Sequence, residues 1–249
     1  MSVNGKTVWV TGGGSGIGRA AVLKLAAAGA AVVVSGRRPE PLDAVVAEIE
    51  AAGGRAMAAP LDVTDDAGIA VVHTAIKSEF GPVDVLVNNA GFNITDRRYD
   101  QMSNDAWRQV IDINLNGAYA CTAQVLPDMR SRKDGVIINI SSWAGRYNSK
   151  VAGPAYGASK HAMNAMTATL NMEECINNIR ATAICPAEVA TDIMDRRPEP
   201  PSQADRDRML QPEDLGDTVL FVAGLPSRVC INELVISPTW NRGFIGEIS

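Results

Sequence analysis

The 249-residue chain has few aromatic side chains (5%), two histidines and four cysteines. His73 and His161 lie far apart. Cys121, Cys175, Cys185 and Cys230 are scattered and form no Cys-x-x-Cys pair, so neither a zinc site nor a disulfide framework is expected. The four are read as buried thiols of a reducing cytoplasm. Basic excess is missing too: 23 Lys and Arg stand against 28 Asp and Glu, a formal net charge of −5. A nucleic-acid partner needs cations to meet its phosphates, so none is expected. No run of eighteen apolar residues occurs, and no membrane span is expected. The opening MSVNGKTVWVTGG has no basic segment leading into an apolar one, so it does not read as a secretory signal.

What is present is an alternation of strand and helix signals. Lys6–Thr11, Ala31–Ser35, Arg55–Pro60, Val83–Val87, Val136–Ile140, Arg180–Cys185 and Glu233–Ile236 read as strands, several of them near-continuously apolar. Such strands are covered on both faces. Helical stretches fall between them at Gly16–Ala28, Pro39–Ala52, Asp65–Phe80, Ser103–Arg130, Pro154–Ile176 and Pro212–Gly224. The pattern predicts a single-domain, doubly wound α/β Rossmann fold with a seven-stranded parallel sheet. The Pro-, Arg- and Asp-rich stretch 187–207 is expected to be a substrate loop or lid.

The first strand runs into Thr11-Gly12-Gly13-Gly14-Ser15-Gly16-Ile17-Gly18. Glycines there let the backbone approach a pyrophosphate, and the following helix turns its free N–H groups to that anion. A triphosphatase loop fits poorly, because no Gly-Lys-Ser/Thr ending follows. At the end of the second strand, where a carboxylate would bond the adenosine ribose, stand Gly36, Arg37 and Arg38. Two guanidinium groups and no acid favour NADP(H) over NAD(H). The alternative is that the arginines only solvate the start of the next helix.

Tyr156 and Lys160, four residues apart, share one helical face. A neighbouring ammonium favours the phenolate, which is how a tyrosine becomes an acid–base group near neutrality. Ser141 and Ser142 end the fifth strand, at the sheet edge where ligands bind, and lie in no Gly-x-Ser-x-Gly elbow. No metal is called for.

With these elements in order, the chain resembles the classical branch of the short-chain dehydrogenase/reductase family from about residue 5 to about residue 238. The matching positions are Thr11–Gly18, Asp62-Val63, Asn88-Asn89-Ala90-Gly91, Asn114, Ser142, Tyr156 with Lys160, and Pro186 leading to Thr191. The resemblance implies that Gly12, Gly14, Ser15, Gly16, Ile17 and Gly18 hold the cofactor's phosphates. Asp62 and Val63 would sit by the adenine, and Asn89, Ala90 and Gly91 would form a wall of the cleft. Pro186, Val189 and Thr191 would contact the nicotinamide end, Val189 through its backbone. It further implies that Asn114, Ser142, Tyr156 and Lys160 are catalytic. Ser142 would orient the substrate, with Ser141 as its buttress. Tyr156 would move the proton, Lys160 would support it and grip the ribose, and Asn114 would hold a relay water. Two departures are Pro186-Ala187-Glu188 in place of Pro-Gly, and a Ser142-to-Tyr156 spacing one residue longer than in many members.

The implied substrate is a small carbonyl or alcohol compound. The stretch from Leu210 to Pro238 resembles members acting on 3-hydroxy acids or small semialdehydes. Arg146, Lys150, Arg196 and Arg197 on nearby loops make an acidic substrate reasonable, and Phe92, Trp143, Tyr147 and Trp240 are either pocket or packing aromatics. Met163, Met166, Leu170 and Met172 serve a core or a partner equally well, while the resemblance implies a homodimer or homotetramer. Arg242, Phe244 and Ile248 in the tail are candidates to reach a neighbouring subunit. Two other functions stay open: a cofactor-retaining epimerase or dehydratase on the same scaffold, and a noncatalytic nucleotide-sensing protein.

Overall fold

Apolar, β-branched runs become fully buried strands, and the alanine- and leucine-rich segments between them become the crossover helices. The computed structural model describes residues 2–245, so Ile248 lies outside the described residues. In chain order the elements are β1 (Thr7–Thr11), α1 (Gly16–Ala27), β2 (Ala31–Gly36), α2 (Pro39–Ala51), β3 (Arg55–Pro60), α3 (Asp66–Phe80) and β4 (Val85–Asn88). There follow α4 (Asn104–Ile111), α5 (Gly117–Arg132), β5 (Gly135–Ile140), α6 (Pro154–Glu174), β6 (Ile179–Pro186), α7 (Gln203–Arg206), α8 (Pro212–Ala223), β7 (Glu233–Ile236) and α9 (Arg242–Ile245). No helix among the described residues is long and apolar enough to cross a membrane.

All seven strands are parallel, in the order β3-β2-β1-β4-β5-β6-β7. This is the expected doubly wound sheet. Alternation along each strand divides the core into two layers. Val8, Val10, Val32 and Val34 face α1, α2 and α8, whereas Trp9, Val33, Leu86 and Ile137 face α3 and α5. Trp9 is wholly buried and satisfies its indole N–H on Ser35 Oγ at 2.9 Å. Winding reverses between β1 and β4. The crevice beyond their C-terminal ends therefore opens beside Thr11 and Asn88, where such sheets bind ligands.

Three expectations are corrected. The stretch Ser103–Arg130 is not one helix. Asp112–Asn116 forms a π turn between α4 and α5, with Gly117 N–H donating to Asp112 O. Apolar periodicity does not register one inserted residue, and such bulges gather at functional sites. The fourth strand begins two residues later than its apolar run, at Val85, and the side chain of Asp84 just before it accepts from Thr7 N–H at 2.8 Å. All four cysteines are free thiols, but only Cys121 and Cys185 are buried; Cys175 and Cys230 are exposed. Stretch 187–207 is partly ordered, with a 3-10 segment at Asp192–Arg196 followed by α7.

Candidate active site

The turn after β1 is built around glycines that no other residue replaces without strain. Gly12 has φ +64° and Gly16 φ +51°, both in the left-handed region. A Cβ on Gly18 would collide with Gly12 O and come within 2.5 Å of Asn89 Nδ2. Asn89 ties this turn to β4, its Nδ2 donating to Thr11 O (3.1 Å) and Gly12 O (2.9 Å). Thr11 Oγ1 accepts in return from the N–H groups of Asn89 and Ala90, both at 3.1 Å. Ser15 precedes α1 in extended conformation, with its side chain capping nothing, and Ile17 packs on the core behind the turn. We expect Gly18→Ala to lower unfolding free energy by about 1–3 kcal/mol through overpacking. Equilibrium urea denaturation with and without NADPH would read that loss, together with weakened cofactor stabilisation.

A cleft of about 430 Å³ extends from this turn, lined by Gly12, Gly14, Ser15, Arg37, Arg38, Asp62, Val63, Ala90 and Gly91 among others. Arg37 and Arg38 are exposed at its far rim, and neither forms an ion pair among the described residues. Asp62 accepts from Thr64 N–H (3.0 Å) and Thr64 Oγ1 (2.8 Å). Those bonds, with a smaller contribution from the Arg37 charge, hold its carboxyl below the usual range. Val63 is buried against Gly117, where a Cβ would lie 2.7 Å from Val63 Cγ2. Val63 is thereby packed directly on the start of α5.

Ser142, Tyr156, Lys160 and Asn114 converge from three elements. Ser142 follows β5 and caps a 3-10 turn, its Oγ accepting from Ala144 N–H at 3.1 Å. Buried Ser141 donates to Lys160 O at 3.2 Å, fixing the serine loop to α6. Tyr156 and Lys160 occupy the first turns of α6, with Lys160 Nζ 5.6 Å from the Tyr156 ring centre. Lys160 is buried and donates to Ile140 O at 2.8 Å; burial lowers its pKa to about 8. The Tyr156 phenol is raised above its ordinary range, because desolvation outweighs the nearby Ser142 hydroxyl and the charges of Arg197 and Arg97. The expected lowering of this tyrosine by the neighbouring ammonium is therefore corrected: burial dominates and the shift is upward, and the charges that oppose it are those of Arg197 and Arg97.

Asn114 lies fully buried in the π turn. Its Oδ1 accepts from Phe92 N–H (2.9 Å), and its Nδ2 donates to Phe92 O (3.0 Å) and Ser159 Oγ (3.3 Å). Its side chain is therefore committed to fixing the loop after β4. Gly91 is the meeting point: a Cβ there would sit 3.3 Å from Asn114 Oδ1 and 3.7 Å from Lys160 Nζ.

On the other wall, Pro186 ends β6 and the chain continues past Glu188 to Val189, which bridges in parallel to Leu210. That bridge uses Glu188 O and Ala190 N–H, so the N–H of Val189 points to the opposite side of the strand. Thr191 lies over the glycine turn, its Cγ2 3.1 Å from the place a Gly16 Cβ would occupy. Glu188, the departure from Pro-Gly, has a definite task. It accepts from Arg197 (2.5 Å) and from Arg242 of α9 (2.8 Å), tying the 187–207 stretch to the tail.

Trp143 packs on Tyr147 (centroids 4.5 Å apart) and on Phe244 (5.7 Å). Phe92 lies under the Arg196 guanidinium, and Trp240 under that of Arg208. Of the loop cations, Arg146 pairs with Glu233 and Arg197 with Glu188. Sequence reasoning passed over Arg97. It lies in Asp96-Arg97-Arg98-Tyr99-Asp100, which reads as a solvated charged loop, yet its residue is only 4% exposed.

Residues 6–201 match the family described as short chain dehydrogenase. The 3-oxoacyl-(acyl-carrier-protein) reductase of Thermotoga maritima is 33% identical over 240 residues, spanning 94% of this chain and 97% of the relative. Among solved structures, the closed form of a serine dehydrogenase complexed with NADP+ has a TM-score of 0.85 at 31% identity, covering 93% of this chain and 94% of that one. The Brucella melitensis 3-ketoacyl-(acyl-carrier-protein) reductase complexed with NADH has a TM-score of 0.85 at 28% identity, covering 95% and 98%.

Proposed function

The chain belongs to the short-chain dehydrogenase family, whose members are oxidoreductases of carbonyl and alcohol groups, and we propose that it is an NADP(H)-dependent enzyme of small hydroxy acids or semialdehydes. The observation that carries the reaction is the convergence of Ser142, Tyr156 and buried Lys160 at the open end of the sheet. The glycine cradle fits a dinucleotide, since Gly12, Gly14 and Ser15 line the open cleft at the start of α1 while Gly12 and Gly18 pack closely on Asn89 and fix the turn. Gly14, Ser15, Gly16 and Ile17 would hold the phosphates at the start of α1, with Asp62, Val63, Asn89, Ala90 and Gly91 along the adenosine and ribose. Pro186, Val189 and Thr191 would hold the nicotinamide end, Val189 through its outward N–H. When bound, the nicotinamide supplies or accepts the hydride.

The chain's own residues handle the oxygen and its proton. Ser142 donates to the substrate oxygen and fixes it at Tyr156. In reduction the Tyr156 hydroxyl delivers its proton to that oxygen; in alcohol oxidation the phenolate removes it. Lys160 supplies positive charge beneath the ring. Asn114 holds the loop after β4 against α6, leaving the main chain of the π turn to carry a relay water to Lys160. The serine dehydrogenase likeness supports a small hydroxy acid as substrate. A panel of ketones, semialdehydes and hydroxy acids against NADPH and NADH, read at the nicotinamide absorbance, tests the whole reading; no hydride transfer with any of them would leave the epimerase or sensor alternatives.

Relatives of equal structural likeness carry NADP+ in one case and NADH in another, so the fold alone does not choose. The choice rests on Arg37 and Arg38, which have no carboxylate partner among the described residues beside a Gly36 that offers none. We expect Arg37→Ala to weaken NADPH binding by roughly 1.5–3 kcal/mol, about ten- to hundredfold, while leaving NADH nearly unchanged. Fluorescence titration with both cofactors checks it, and equal losses would mean that Arg37 only positions the backbone.

Assembly as a homodimer or homotetramer in the cytoplasm is part of the same proposal. Met163 and Leu170 are core, but Trp107, Tyr119, Met172 and Ile176 leave apolar surface open along α4, α5 and the end of α6. Sedimentation at micromolar concentration is expected to show a closed oligomer; monomer alone would overturn that part.

A further inference from the structure

Arg97 is a cation held in an unusual place. It stands on the loop between β4 and α4, is 96% buried, and meets no carboxylate among the described residues. Nη1 donates to Val151 O at 3.2 Å and Nη2 to Arg196 O, which joins it both to the segment leading into α6 and to the substrate loop. Gly153 presses on its stem: a Cβ there would lie 2.9 Å from Arg97 Cβ and 3.1 Å from Cγ. A guanidinium has five N–H donors, and the buried Nε of this one has no partner among the described residues. A buried charge left without a counter-ion is costly, and a buried donor left unmet adds to the cost.

Residues 151–153 lead directly into the first turn of α6, which carries Tyr156, and Arg196 lies over the Phe92 ring on the loop after β4. Arg197 lies beside Arg97, close enough that each guanidinium opposes the other's charge and both favour the ionised phenol of Tyr156. Arg197 is already matched by Glu188, which also serves Arg242. Arg242 pairs with Asp205 as well, so Arg197 and Arg242 are both answered by acids, and nothing described answers Arg97. The pocket around Tyr156 is left with a positive excess at a fixed position, formed before any substrate enters.

We propose that Arg97, flanked by Arg197, is the anion subsite of the reaction pocket and takes the carboxylate of a substrate whose reacting hydroxyl or carbonyl lies at Tyr156. This rests on the placement of the reaction at Tyr156 and narrows the substrate to a carboxylate-bearing hydroxy or oxo compound, excluding neutral ketones of the same size as preferred ligands. A planar fork already fixed by two main-chain carbonyls loses little side-chain freedom on binding, and a carboxylate supplies the acceptors that its remaining donors lack. The alternative is a strap: Arg97 holding two loops together and touching no ligand.

The two differ in a measurement that needs no turnover. Enzyme saturated with NADP+, so that the cofactor's own phosphate sites are filled, is titrated with malonate and with its neutral counterpart malonamide, following intrinsic tryptophan fluorescence. Malonate is expected to bind about ten- to hundredfold more tightly than malonamide. Arg97→Gln should erase that preference while leaving malonamide and NADP+ binding near parental values. Should Arg97→Gln fail to fold, Arg97→Lys carries the test: it keeps the charge but loses the fork, and malonate affinity should fall severalfold with malonamide unmoved. Equal binding of the two probes by the parent, binding of neither, or parallel loss of both in the variant would each overturn the subsite. Those outcomes are separate from failure of the reaction reading, which would show as parental hydride transfer in Tyr156→Phe whatever the probes do.

Discussion

Tyr156→Phe is expected to reduce single-turnover hydride transfer by about 10²–10⁴-fold while leaving the fold and cofactor affinity intact. The substitution removes one oxygen and keeps the ring that covers Lys160 Nζ at 5.6 Å. Every neighbour that bears on the hydroxyl then loses its object. Ser142 retains its bond from Ala144 N–H, and Lys160 its bond to Ile140 O, so the supporting structure has no reason to collapse. What disappears is the proton donor for the developing alkoxide. In the unliganded protein burial holds the phenol above its ordinary range, so the protonated form dominates at neutral pH and the site is set up as an acid for reduction. For alcohol oxidation the phenolate is needed, and the rate should therefore rise with pH, whereas reduction should fall once the phenol ionises. The measurement is rapid-mixing absorbance of the nicotinamide at saturating cofactor and substrate, beside a binding titration. A rate within threefold of the parent would show that Tyr156 only packs.

Much of this arrangement was legible because the physics of the elements is local. A buried strand such as Val8–Val10, a turn that requires φ above zero at Gly12 and Gly16, and a tyrosine–lysine pair one helical turn apart are written in consecutive residues. A parallel, doubly wound sheet followed from the alternation of strands and helices, while the strand order is read from the structure. The features that escaped are those decided across distance. The π turn at Asp112–Asn116 differs from a continuous helix by one inserted residue, while the packing of Val63 against Gly117 involves a loop more than fifty positions upstream. Exposure of Cys175 and Cys230 depends on where helix and strand ends fall on the surface, which composition does not specify. Arg97 is the sharpest instance. Its neighbours Asp96, Arg98 and Asp100 look like a solvated run, and Arg98 does pair with Asp100 at 3.2 Å. Only the folding of residues 151–153 and 196 over this loop takes the one arginine out of water.

The substrate loop shows the same division. Its polar, proline-rich composition identified 187–207 as irregular, and the Pro186-Ala187-Glu188 sequence stood out as a departure. That Glu188 joins Arg197 to Arg242 is a tertiary fact, and it gives the tail a role within its own chain: α9 braces the loop, and Phe244 closes edge-on against Trp143. Burial of Glu188 raises its carboxyl pKa, but hydrogen bonds and charge from the two arginines more than offset that, leaving it below the usual range. A group whose folded pKa is depressed contributes stability present above its unfolded pKa and lost as pH falls through the folded one. The brace therefore holds at neutral pH and weakens only in acid.

Replacing Lys160 with methionine tests the other half of the proton machinery, and its effect should be nearly as large. Lys160→Met keeps the length and apolar stem of the side chain but removes the ammonium and its bond to Ile140 O. That ammonium stands 5.6 Å from the ring centre, where a positive charge favours the phenolate. Loss of that charge moves the phenol's apparent pKa further upward, so alcohol oxidation near neutral pH should fall by about tenfold or more from scarcity of phenolate alone. The ribose contact that the family resemblance implies for Lys160 would be lost too, weakening cofactor binding. The pH profile separates this from structural damage: in Lys160→Met the basic rise of oxidation should shift to higher pH, whereas a loosened fold would lower the rate at every pH without moving the limb. The parent has its own signature. Burial brings Lys160 to about 8, so above that pH the ammonium itself is lost and the two groups titrate as a coupled pair. For stability the sign is the same as for Glu188: folding lowers both pKa values, so stability rises with pH through each window. The unfolded lysine holds its proton up to its ordinary pKa of 10.5 while the buried one releases it near 8. The parent should therefore gain stability as pH rises between those values, and Lys160→Met should not. Urea midpoints across that window, measured beside the oxidation profile, decide both points, and an unshifted basic limb in the variant would remove Lys160 from the mechanism.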